Sequence, residues 1–209
     1  MSNKRYSNKG VNSAAKAQAT AAAAQESKRQ TLIVCAVAVA VADAVEDTCG
    51  IRPGIKWIND LVIGTKKLGG ILVEMSVEKG LVDYAVVGIG INCLQNREDF
   101  HPDIRDMATS LRQVCGKEIP PQQLAAAMVE ALWKMSTALF SEKGRLMAAY
   151  KAGCVTLGQE IQVLRFDSVS PGKAVDLDAE GGLVVEYPDG SRETVASGEV
   201  SVRGMYGYV

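Results

Sequence analysis

The chain has 209 residues, 47% apolar and 22% charged, with a formal net charge of -1. That is length and apolar content for one domain, or one plus a small appendage, and no charge excess that would mark a polyanion-binding surface. Five cysteines (Cys35, Cys49, Cys93, Cys115, Cys154) form no C-x-x-C pair, and the single histidine, His101, has no cysteine near it. This argues against a structural zinc site or a disulfide framework, and for a reducing, cytoplasmic compartment.

Residues 1–30 hold six Lys or Arg against one acid, and only Tyr6 and Val11 are larger apolar groups. Such a segment cannot offset ordering entropy by burial, so the expectation is a low-complexity tail, disordered or marginally helical. Nor does it carry the apolar periodicity of a helix-turn-helix, so nucleic acid is not an expected partner. Leu32–Ala42 is an unbroken apolar run after Lys28-Arg29. It imitates a secretory signal but is too short to span a bilayer. A buried helix over 31–48, closed by Cys49 and a left-handed Gly50, is the expected form. A cleaved secretory signal is one alternative and a strand of alternating Ala and Val another, because periodicity cannot arbitrate a fully apolar run.

From residue 51 short strands alternate with glycine turns. Ile55–Ile58 and Asp60–Ile63 flank Asn59, and Gly64-Thr65-Lys66-Lys67 turns into Leu68–Met75, which predicts a hairpin. Leu81–Ile91, after a turn at Lys79-Gly80, is apolar on both faces and is expected as a central strand. A polar loop over 96–102 and a short helix over 107–114 follow. Pro120-Pro121 then opens a helix with Leu124, Met128, Leu132, Met135 and Leu139 on one face. Another helix over 142–151 stops at Gly153. Strands at 160–165, 173–178, 183–187, 192–195 and 199–203, with turns at Gly181-Gly182 and Asp189-Gly190, form a small barrel. The overall expectation is α+β.

The chemistry concentrates between Lys56 and Asn92. Glycine weakens a strand, so Gly69-Gly70 and Gly88-x-Gly90 need a reason, and close approach of a ligand or another backbone is the usual one. Asn59 and Asp60 beside Trp57 offer a place for a nucleobase, a ribose or a magnesium ion, and Lys67 can meet an anion. Each residue also has a plain structural reading: Asn-Asp pairs form turns, and turn lysines are usually solvated. Gly88-x-Gly90 lacks the third glycine and following helix of a dinucleotide fingerprint.

In order, K-W-I-N-D (56–60), K-K-L-G-G-I-L-V-E (66–74) and V-V-G-I-G-I-N (86–92) resemble the central motifs of the biotin-protein ligases. A-S-G-E-V-S-V-R (196–203) resembles that family's closing strand. The resemblance covers about 31–205, with Ile58 where the family usually has proline. It implies a class II aminoacyl-tRNA-synthetase-like core with a partial mixed β-sheet over 31–154, then an SH3-like barrel over 155–209.

The implied activity is that of biotin-[acetyl-CoA-carboxylase] ligase. Biotin and ATP, with Mg2+, give biotinyl-5'-AMP, and a lysine of a biotin carboxyl carrier domain takes the biotin. By the same resemblance Lys67 is the catalytic cation, and Lys67, Gly70, Gly88, Ile89 and Gly90 border biotin. Lys56, Trp57, Asn59, Asp60 and Asn92 border the nucleotide, and Asp60 the magnesium. The family's arginine- and glycine-rich loop and its early Ser-Thr-Asn segment find no counterpart in residues 1–30, whose only arginines are Arg5 and Arg29. The expectation is therefore the second half of a catalytic domain plus the barrel, impaired in activity, with a non-catalytic remnant or carrier-interaction module as the alternative.

Overall fold

The computed structural model describes residues 9–78, 81–165, 168–196 and 201–204. Its first element, α1 (Lys9–Cys49), begins far upstream of the expected start at Thr31. No Gly or Pro occurs between Val11 and Cys49, and the stretch before Thr31 is rich in alanine, the strongest helix former. The apolar run is a buried helix and not a strand: Val34, Cys35, Val37, Val41 and Val45 are all buried. Gly50 ends it at φ 76°.

Behind α1 lies a four-stranded sheet in the order β1 (Gly54–Lys56), β2 (Asp60–Ile63), β3 (Lys66–Glu78), β4 (Leu81–Ile91). Every pairing in it is antiparallel. Parallel contacts occur as isolated bridges, Ile55 to Cys154 and Lys67 to Ala108. The β2–β3 hairpin forms as expected, with Gly64 at φ 58°. β1 is shorter than expected, because Trp57–Asn59 make the turn into β2.

β4 departs from expectation: it is the sheet's edge, not a central strand, and Leu81, Val82, Tyr84 and Val86 are exposed. Apolarity on both faces measures a strand's preference for burial. Strand order depends on what pairs with it, and among the described residues that is β3 alone. The turn expected at Lys79-Gly80 lies outside the described residues.

After a short 3-10 turn at Arg97–Asp99 come α2 (Leu111–Cys115), α3 (Pro121–Ala138) and α4 (Lys143–Gly153). α2 starts later than expected because Ser110 is its N-cap, accepting from the Gln113 N–H at 3.3 Å. α3 packs on α1 through Leu124, Met128, Leu132 and Met135, leaving Val129 and Trp133 exposed.

The second sheet is also antiparallel: β8 (Arg192–Val195), β7 (Leu183–Glu186), β6 (Ser168–Leu177), β5 (Glu160–Arg165), β9 (Ser201–Gly204). Gly181 and Gly190 take the positive φ that their turns require. Of the last expected strand, Glu199 and Val200 lie outside the described residues. No described helix is long and apolar enough to cross a membrane.

The two sheets share one core. The Trp57 indole is buried and its Nε1–H donates to Gly181 O at 2.9 Å, while the Trp57 backbone N–H donates to Thr156 Oγ1 at 2.9 Å. Tyr150, from α4, is fully buried and its hydroxyl donates to Ile58 O at 2.9 Å.

Candidate active site

Residues directly opposite each other in an antiparallel ladder share a face, and alternate residues along a strand share it too. Lys56 opposes Asp60, Asp60 opposes Gly70, and Gly70 opposes Gly90. One row therefore crosses all four strands, and each of the three sequence motifs contributes to it. The next row on this face pairs Leu72 with Gly88, and the one beyond pairs Glu74 with Val86. Leu72, Tyr84 and Val86 are 62%, 58% and 55% exposed, so this face is open. The opposite face carries Ile71, Val73, Ile89 and Ile91 into the core with α1.

Lys67 reaches the row through a register shift between Leu61 and Val62. Its Nζ pairs with Asp60 Oδ1 at 2.5 Å, with the Asp60 side chain 16% exposed. A β-carbon on Gly70 would sit 3.1 Å from Asp60 Oδ1 and 3.4 Å from Lys67 Nζ, so the glycine leaves room for the ion pair. Gly88 and Gly90 have a different explanation. A β-carbon on Gly90 would meet nothing within 4 Å, and one on Gly88 only Leu72 at 3.9 Å. The chain's own packing does not require glycine there, and neither residue has a positive φ. Together Gly70, Gly88 and Gly90 make a bare floor at whose edge a cation is held.

The backbone of Lys67 is held from outside the sheet. Its N–H donates to Met107 O at 2.7 Å, and Thr109 N–H donates to Lys67 O at 2.9 Å. Sequence reasoning missed this strip and placed a helix there; the exposed Met107 and the buried Thr109 carry no helical or strand signature. Asn92 ties the strip to the sheet: its N–H donates to Leu68 O at 2.9 Å and its Nδ2 to Thr109 O at 3.0 Å. Asn59, in the turn between β1 and β2, is tied to β3, its Nδ2 donating to Ile71 O at 2.7 Å. In both asparagines Nδ2 is committed to backbone, which leaves Oδ1 as the atom able to accept from a ligand.

The structure thus brings Lys56, Asp60, Lys67, Gly70, Gly88 and Gly90 onto one face, with Asn59 and Asn92 at its borders. Two expected residues lie in the same segments but turn their side chains away from this face. Ile89 points its side chain into the core, and Trp57 is enclosed between the sheet and Gly181. Among the described residues no three His, Cys, Asp or Glu gather as a metal site.

Comparison with known proteins bears on this face. The Biotin/lipoate A/B protein ligase family matches residues 13–92, and the Biotin protein ligase C terminal domain matches 156–203. The biotin--[acetyl-CoA-carboxylase] ligase of Paracoccus denitrificans is 30% identical over 176 residues, covering 80% of this chain and 71% of that protein. The chain belongs to the biotin protein ligase family.

The family match begins upstream of residue 31, within the segment expected to be unrelated. The bifunctional ligase/repressor BirA of Bacillus subtilis is 33% identical over 173 residues, covering 81% of this chain but only 51% of that protein. The chain thus spans about half the length of that curated relative. Biotin protein ligase from Aquifex aeolicus superposes with a TM-score of 0.71 in its apo structure, at 26% identity, covering 84% of this chain and 76% of that one. The same protein in complex with biotin and ATP gives 0.69 at 26% identity, covering 83% of this chain and 72% of that one.

Proposed function

We propose that this chain carries the biotin-facing and part of the adenylate-facing wall of a biotin-[acetyl-CoA-carboxylase] ligase. The observation that carries the reading is the transverse row of Lys56, Asp60, Gly70 and Gly90, with the Lys67 ammonium paired at its edge. On this reading biotin lies on the glycine floor with its carboxylate toward Lys67. A carboxylate oxygen attacks the α-phosphorus of ATP, the bond to pyrophosphate breaks, and biotinyl-5'-AMP forms. A lysine amine of a biotin carboxyl carrier domain then attacks the anhydride carbonyl, AMP leaves, and the new amide releases a proton.

Two anions must meet in the first step. At 4 Å their repulsion is on the order of 4 kcal/mol at a protein-surface dielectric, which an oriented cation offsets. Asp60 and the Met107–Thr109 strip fix the direction of that cation, and an oriented ammonium needs no reorganisation when the carboxylate arrives. Asn59 and Asn92 offer Oδ1 acceptors to the adenylate. Asp60 is paired with Lys67, and it is the carboxylate of the row that a magnesium ion carried in by the ATP phosphates would meet. The five free thiols support a reducing, cytoplasmic setting.

A second reading, a non-catalytic remnant or carrier-interaction module, is favoured by the openness of the face. Among the described residues nothing covers Leu72, Tyr84 and Val86 or the outer side of β4. An uncovered site admits water to a reactive anhydride. We therefore expect transfer to a carrier at least about a thousandfold slower than by a ligase whose phosphate side is covered.

Calorimetric titration with biotin tests the first reading. Lys67→Ala should weaken binding by about 10- to 150-fold, the loss of one charge-assisted contact. Equal affinities remove Lys67 from the site, and no heat from either protein favours the second reading. Complete streptavidin-detected labelling of a carrier within minutes would overturn the slow-transfer expectation.

A further inference from the structure

Lys56 and Asp60 oppose each other at the two ends of the turn Trp57–Asn59, so the shape of that turn sets the place of both. On one side the turn is fastened to the sheet: Asn59 Nδ2 donates to Ile71 O at 2.7 Å, and the Ile71 N–H donates to Asn59 O at 2.9 Å. On the other side it is fastened to a part of the chain that carries none of the three motifs. The Tyr150 hydroxyl, from α4, donates to Ile58 O at 2.9 Å, and Thr156 Oγ1 accepts from the Trp57 N–H at 2.9 Å. Tyr150 and Thr156 are both buried, so neither bond competes with water. Just before the turn, the Val155 N–H donates to Ile55 O at 2.9 Å and Cys154 bridges to Ile55, which covers the outer edge of β1. Contacts 92 and 99 residues apart in sequence thus hold the first two residues of the turn.

We propose that Tyr150 and Thr156 are positioning residues for the nucleotide side of the row. Both lie behind the face rather than on it, and they act through the backbone of Trp57 and Ile58, which carries Asn59 and Asp60 to the edge of the glycine floor. With the Ile58 carbonyl and the Trp57 amide both satisfied, the turn keeps one arrangement. Removing either partner leaves a polar backbone group in an apolar setting, a cost relieved by moving the turn. A misplacement of about 1 Å that starts far from the chemistry can cost about 100-fold in rate. The biotin side has other supports: Gly70, Gly88 and Gly90 belong to the β3–β4 ladder, and the Lys67 backbone is held by Met107 and Thr109. Which ligand suffers follows from the function proposed above; the hold on the turn does not.

The test compares the full chain with Tyr150→Phe and Thr156→Val, each of which removes one hydroxyl and nearly preserves side-chain volume. Amide exchange at Ile71, whose N–H reports on Asn59 O and touches neither substitution, should speed up by about tenfold in both variants. Exchange at Asn92, bonded to Leu68 O, should stay within about twofold. Calorimetric titration with magnesium and ATP should show about tenfold weaker binding, while biotin affinity changes by less than about twofold. Leu124→Val loosens the core between α3 and α1 without touching the turn, and as the control for lost stability it should move neither affinity. If Tyr150→Phe does not fold, Thr156→Val carries the same readouts. Unchanged exchange at Ile71 would overturn the hold on the turn. Equal losses of ATP and biotin affinity, or an ATP loss of the same size in Leu124→Val, would overturn the positioning role. No heat from ATP with the parent would overturn the nucleotide role together with the reading it rests on, while exchange at Ile71 would still decide on Tyr150 and Thr156.

Discussion

Replacing Gly88 or Gly90 by alanine should leave the fold intact and damage only ligand binding. A β-carbon added at Gly90 would have no neighbour within 4 Å, and one added at Gly88 would make an ordinary 3.9 Å contact with Leu72. Neither position requires a positive φ. The folded-state cost is thus near zero, and the stiffer unfolded chain should stabilise each variant by about 0.4–1 kcal/mol. Gly69→Ala is the internal control. Its β-carbon would lie 2.3 Å from Gly90 O and 2.6 Å from Ile91 Cδ1, a clash with backbone that cannot yield without opening the β3–β4 ladder. Overpacking of that kind costs about 1–3 kcal/mol or more. Urea unfolding measures all three. Biotin titration of Gly90→Ala should then show at least about tenfold weaker binding, because a methyl group lifts a flat ligand off its van der Waals contacts. Affinity equal to the parent's would refute the glycine floor. Destabilisation of Gly90→Ala beyond about 2 kcal/mol would refute the claim that its own packing leaves that glycine unexplained.

Trp57→Phe should cost about 1–3 kcal/mol in urea unfolding, since it leaves the buried Gly181 O without its donor, while biotin affinity stays unchanged. Gly181→Ala should cost about 2–4 kcal/mol, because its φ is +87° and its β-carbon would lie 2.6 Å from Cys35 Sγ. Arg165, with Tyr187, holds the Glu193 carboxyl below its ordinary value of 4.5. A depressed carboxylate stabilises the fold above its unfolded pKa and loses that contribution as pH falls through the folded one. Urea midpoints of the parent should therefore drop below about pH 4.5, and Glu193→Gln should flatten that drop; parallel profiles would count against it.

What is legible in the sequence follows from burial and alternation. The apolar run of Leu32–Ala42 and the stop at Gly50 specify the buried part of α1. The start at Lys9 escapes that reasoning because burial is the wrong measure for a segment without apolar groups, whereas alanine favours a helix without packing. The place of β4 escapes it for a related reason. Val86 and Tyr84 are as apolar as a buried face requires, yet they are exposed here. Hydropathy records the environment that suits a residue, and sheet order records which strands are present to pair.

The site shows the same division between what composition carries and what register carries. Alternation alone separates Ile89 from Gly88 and Gly90, since the middle residue of G-I-G must face the other way. Nothing in the sequence could pair Lys67 with Asp60, because that contact depends on the register shift after Leu61. Nor could it tell Gly69 from Gly70. The two are adjacent and chemically identical, yet Gly69 is small because Gly90 O passes 2.3 Å from where its β-carbon would be, and Gly70 because Asp60 and Lys67 meet above it. The first glycine answers to the neighbouring strand and the second to the ion pair, so only the second couples the sheet to chemistry.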